Sequence, residues 1–60
     1  MYAEERHELL VAQARSEGRI SVAQAAEHYG VTPETIRRDL AHLDCRGLLR
    51  RVHGGAVSTS

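Results

Sequence analysis

The sequence predicts a small, mainly α domain: three helices closed by a β-hairpin, with a two- or three-stranded antiparallel sheet. Three observations predict it. Apolar residues recur at helical spacing in three separate stretches before residue 46. Glycines at 18, 30 and 47 stand where each stretch loses its period, the position a left-handed cap occupies. Beyond Gly47 the apolar runs shorten and flank a Gly54-Gly55 pair, as strands flank a tight turn.

The first helix is expected from about Ala3 to Glu17. Glu4 and Glu5 fall in its first turn, where the helix dipole favours anions. Leu9, Leu10, Gln13 and Ala14 define its inward stripe, and Gly18 ends it. Arg19-Ile20-Ser21 reads as a short extended link. Ser21 and Gln24 have capping-box spacing, each side chain satisfying a free backbone donor at the start of a second helix. Ile20 can staple onto Ala25, while Val22, Ala25, Ala26 and Tyr29 line one face up to Gly30. The third helix opens with Thr32 as N-cap and Pro33 at the first helical position, where a missing N–H costs nothing. Val31 can staple onto Ile36. Ile36, Leu40 and Leu43 recur at i, i+4 and i+7 and face the core, and Gly47 ends the helix. Residues 48–57 read as a wing of two strands around Gly54-Gly55, a pair suited to a two-residue turn with positive φ at both positions. Ser58-Thr59-Ser60 is a polar end.

Sixty residues make at most one domain, and such a chain buries only about 60% of the surface it exposes when unfolded. Apolar content of 42% is too high for a disordered tail. With no Phe or Trp, the core is expected to use Leu, Ile, Val and Ala, with Tyr2 and Tyr29. The single Cys45 excludes an internal disulfide and fits a reducing compartment. No apolar run approaches the ~18 residues of a membrane span, and the acidic N-terminus is unlike a signal peptide. A cytoplasmic location is the expectation. An enzyme is not expected, because a chain this short has little room for a substrate cleft of a few hundred Å³. No cofactor or metal is expected either. His42 and Cys45 are i, i+3 on one helix, but zinc takes three or four ligands, and His7 and His28 show no partnering pattern. Gly54-Gly55 is no phosphate loop, since no helix follows it.

Net charge is zero, yet it is unevenly spread. Residues 1–34 hold three Arg against six Glu, and residues 35–60 hold five Arg against two Asp, so the halves carry −3 and +3. A cationic half points to an anionic partner more strongly than the sum argues against one.

Two short helices joined at a glycine are the bare signal of a helix-turn-helix. Ala26 supplies the small residue at the helix crossing, Gly30 the left-handed turn and Ile36 the branched anchor. With Ile36, Leu40 and Leu43 inward, Glu34, Arg38, Ala41 and Cys45 point nearly opposite, and Thr35, Arg37 and His42 flank them. Thr, Glu and Arg side chains on that face can meet phosphates and base edges. Two arginines near a helix start oppose the dipole, a misfit an anion relieves. The alternative is a winged helix used only for protein–protein contact, against which Arg37, Arg38, Arg50 and Arg51 argue.

Thr32-x2-Thr35-Ile36-Arg37-Arg38-Asp39-Leu40, with Arg6 upstream and Gly47-Leu48-Leu49-Arg50-Arg51-Val52-His53-Gly54-Gly55-Ala56 downstream, resembles the DeoR family of bacterial transcription regulators. The resemblance covers about Ala3 to Val57. Ala14 departs from it, since the family usually has a larger aliphatic there. It implies a single winged helix-turn-helix domain over 1–60, with the helix-turn-helix at about 20–39 and the wing at about 48–57. It further implies sequence-specific binding to a double-stranded operator, usually as a repressor of a sugar-catabolic operon. DNA contacts are expected at Thr32, Glu34, Thr35, Arg37 and Arg38 of the recognition helix, with Arg50, Arg51, His53 and Gly54 on the wing. Asp39 is expected to be structural, paired with Arg6 or a wing Arg. Family members sense a phosphorylated sugar and oligomerise through a C-terminal domain absent from this chain. The full-length protein is therefore expected to be a homo-oligomer and the isolated domain a monomer.

Overall fold

The computed structural model describes residues 2–59. The order is α1 (Ala3–Glu17), β1 (Arg19–Ser21), α2 (Val22–Tyr29), α3 (Pro33–Cys45), β2 (Arg50–Val52) and β3 (Gly55–Val57). Both internal helix starts follow from local chemistry. The Ser21 hydroxyl accepts from the Gln24 amide at 3.3 Å, and the Thr32 hydroxyl accepts from the Thr35 amide at 3.2 Å. α3 ends in a Schellman arrangement, the Leu48 amide reaching back to the Leu43 carbonyl and the Gly47 amide to that of Asp44.

The extended link at 19–21 is a true strand, so the sheet has three antiparallel strands in the order β1-β3-β2. Three rows cross it: Arg19–Val57–Arg50, Ile20–Ala56–Arg51 and Ser21–Gly55–Val52. Ile20 and Ala56 are buried, so the middle row faces the helices and the outer rows face away, as the pleat requires.

The hairpin turn differs from the expectation of two positive-φ glycines. His53 and Gly54 form it, and Gly54 alone has positive φ, at +80°. Gly55 is the first residue of β3, and a Cβ there would lie 1.8 Å from the Ile20 carbonyl oxygen. Its role is close approach of β1 to β3. His53 therefore sits in the turn and does not share a strand face with Arg51. The wing strands are also shorter than residues 48–57, because Leu49, ahead of β2, is buried in the core.

The core joins Leu10, Val11 and Ala14 of α1 to Ile20, to Val22, Ala25 and Ala26 of α2, to Ile36, Leu40 and Leu43 of α3, and to Leu49 and Ala56. Tyr29 is half-buried against it, but Tyr2 is 80% exposed and is no core residue. The inward stripe of α1 is Arg6, Leu10, Val11 and Ala14, and Leu9 is 45% exposed. α1 is turned toward α3, where Asp39 gives a buried Arg6 its partner.

Candidate nucleic-acid interface

α2, the turn at Gly30 and α3 form the helix-turn-helix. Gly30 has φ +67°, and the Val31 amide bonds back to the Ala26 carbonyl at 3.0 Å, which turns the chain sharply into the Thr32 cap. The cap hydroxyl also meets the Thr35 hydroxyl at 3.0 Å. Thr32, Glu34, Arg37 and Arg38 are exposed and Thr35 is half-buried. Glu34 and Arg37 pair at 3.5 Å across one turn. Both side chains are more than half exposed, so the pair is weak and yields readily to a competing anion.

The wing is fastened to α2 and to one flank of α3. The Val22 amide at the start of α2 donates to the Gly54 carbonyl at 2.9 Å, and the Arg51 amide donates to the Asp44 carboxylate of α3 at 3.4 Å. Between α3 and the wing lies a crevice of about 50 Å³ whose lining includes Arg37, Leu40, Arg51 and Gly54. Arg37 and Arg51 thus share one depression. Arg50, on the outward row with Arg19 and Val57, stands on the other face of the sheet. His53 and Gly54 are exposed at the tip.

The other flank of α3 meets α1 through charge. Asp39 is 5% exposed, and two guanidinium nitrogens of Arg6 donate to its carboxylate oxygens, Nε to Oδ2 and Nη2 to Oδ1. His7 Nε2 lies 2.8 Å from Asp39 Oδ1. Burial pushes the Asp39 carboxyl up, but the hydrogen bonds and charges of Arg6 and His7 more than offset it, holding it below the usual carboxylate range. The hydrogen bond to Asp39 raises the already high value of Arg6. The sequence named Arg6 as a partner for Asp39 and missed His7. The available signals were its place beside Arg6 and the i, i+3 spacing of Asp39 and His42, but both need the α1–α3 crossing to be known.

Capped short helix, left-handed turn, second helix with Arg37 and Arg38 exposed, and adjoining hairpin define a winged helix-turn-helix. The chain belongs to the family of the DeoR-like helix-turn-helix domain, whose match spans residues 6–60. It is 49% identical over 53 residues to the L-fucose operon activator of Haemophilus influenzae, covering 88% of this chain and 21% of that protein. It is 39% identical over 56 residues to the glycerol-3-phosphate regulon repressor of Escherichia coli, covering 93% and 22%. It is 40% identical over 60 residues to the lactose phosphotransferase system repressor of Streptococcus mutans, covering 100% and 24%. No solved structure gives a significant match. The chain thus spans under a quarter of the length of these curated relatives. It is a DNA-binding domain of a transcription-regulator family, and that family is not enzymatic. Among the described residues no helix is long and apolar enough to cross a membrane.

Proposed function

We propose that this domain reads the operator of a carbohydrate-catabolism operon and acts in a repressor. α3 enters the major groove through its N-terminal half, where Thr32, Glu34, Thr35, Arg37 and Arg38 face DNA. Arg51, His53 and Gly54 follow the adjacent phosphates or minor groove. The observation that carries the reading is the crevice lined by both Arg37 of α3 and Arg51 of the wing, which brings basic residues of two elements into one depression. Arg50, although basic, belongs to the outward face and contributes less. The repressor and carbohydrate assignments rest on the names of the relatives, two of the three cited being repressors.

The relatives are more than four times as long as this chain, and we assign sensing of a sugar phosphate and self-association to the part of the protein beyond this domain. The domain alone then binds as a monomer. It lacks the gain of about 10²–10⁴ that a tethered second site supplies, so its affinity lies near the ~10⁻⁴–10⁻⁶ M of non-specific contact. Gel retardation of a duplex across a salt series tests the reading. Retardation that weakens steeply with salt is expected. No retardation at low salt would leave a protein–protein module as the better description.

A further inference from the structure

His42 is exposed on α3, one turn beyond Arg38. On the helical wheel it lies on the side of Thr35, at the edge of the face that carries Glu34 and Arg38. Its ring meets that of His7 on α1, with centroids 5.1 Å apart and planes inclined by 31°. His7 is itself fixed, because its Nε2 bonds Asp39, whose carboxylate Arg6 also holds. A hydrogen bond to a carboxylate requires a proton on Nε2 whether the ring is neutral or charged. His7 is therefore a ring of set plane and set tautomer beside an exposed imidazole at the margin of the recognition face.

We propose that His42 is a DNA-phosphate contact that takes up a proton when DNA binds, and that His7 is the positioning residue that holds its ring in place. The proposal rests on the reading that α3 faces DNA. The charged groups around His42 come from α3 and α1. Arg38 lies one turn before it on α3, Arg46 one turn after it at the helix C-cap, and Cys45 at i+3. Asp39, at i−3, is already engaged by Arg6. From α1, His7 faces His42, and the groove beside His7 is lined by Glu4, Glu8, Arg15 and Arg46. A phosphate set between Arg38 and His42 neutralises the arginine and pairs with an imidazolium. The proton comes from the buffer, where it can be counted.

Calorimetry of the 60-residue chain with a duplex, in two buffers of different ionisation enthalpy at neutral pH, counts the protons taken up. A His53→Gln background removes any contribution of the wing imidazole. In that background uptake persists; adding His42→Gln abolishes it, adding His7→Gln reduces it, and adding His28→Gln leaves it unchanged. In the unmutated chain, the His42 Hε1 NMR signal moves toward its protonated position as duplex is added, which reads the site without any substitution. Equal uptake with and without His42, or an Hε1 signal that ignores DNA, would overturn the proposal. Undiminished uptake in His7→Gln would remove the positioning role of His7. Absence of duplex binding by the wild type would instead overturn the α3 reading, and this proposal with it.

Discussion

The two flanks of α3 are held by different forces. On the wing side the Arg51 amide holds Asp44 of α3, and the wing is itself anchored to α2 and β1 by the Val22 amide on the Gly54 carbonyl and the close approach of Gly55 to Ile20. On the α1 side the tie is a buried cluster of charged side chains, Arg6 and His7 around Asp39. The wing's anchoring to α2 and β1 uses backbone atoms and depends on shape. The second depends on the charge of one carboxylate. A recognition helix fixed both ways keeps its angle to the wing while its other edge stays sensitive to charge.

The largest effect belongs to the charged flank. Asp39→Ala leaves Arg6 buried without its counter-ion, and breaking a buried pair costs about 3–5 kcal/mol. That equals the stability a core of this size supplies, about 3–5 kcal/mol, so chemical denaturation should find much of the variant unfolded. A loss below about 1 kcal/mol would place the pair in the range of surface ion pairs and erase the contrast. The pH dependence has a definite sign. The folded-state value of Asp39 lies below its unfolded value, so its contribution is complete above the ordinary carboxylate value of about 3.9. It is lost as pH falls through the lowered folded value. Thermal melts of Asp39→Asn should show a weaker acid dependence than wild type below about pH 4.

A smaller effect, and one independent of pH, is expected from the wing flank. Gly55→Ala drives a methyl into the Ile20 carbonyl, and β1 and β3 have to separate. Overpacking of this kind costs about 1–3 kcal/mol, measurable as a lowered melting temperature equal at pH 5 and pH 8. A wild-type melt would mean that the strands part freely at this point.

The smallest effect sharpens the comparison within the sheet itself. Arg51→Ala should lower the slope of log K against log salt by about one unit, because Arg51 shares the α3 crevice. Arg50→Ala, one residue away on the outward face, should change it less. Equal changes would mean that the duplex covers both faces of the sheet.

What was legible in the sequence divides along similar lines. The caps at Ser21 and Thr32 were readable because each hydroxyl bonds an amide three residues on. The inward face of α3 was readable from i, i+4, i+7 spacing. The choice between Leu9 and Val11 on α1 was not, since both border the same stripe and the packing partner decides which turns inward. Gly54 and Gly55 are alike as letters; one is needed for its φ, the other for a neighbouring strand that the local sequence does not reveal. Alternation places Arg50 and Arg51 on opposite faces, but only the register with Ile20 and Ala56 says which looks toward α3. Within the candidate interface, the recognition-helix residues lay in one motif, whereas the wing crevice and the His7 contact arise only where distant elements cross.

Arg38→Ala tests the central claim, that α3 presents its exposed face to base edges. The measurement is the affinity of wild type and variant for two duplexes, one enriched from a random pool by the wild-type domain and one unselected. A base contact of this kind is worth about 1–3 kcal/mol of discrimination, so the variant should lose about that much on the enriched duplex and much less on the unselected one. Equal losses on both would make Arg38 a phosphate contact and contradict the assignment of sequence reading to this face of α3.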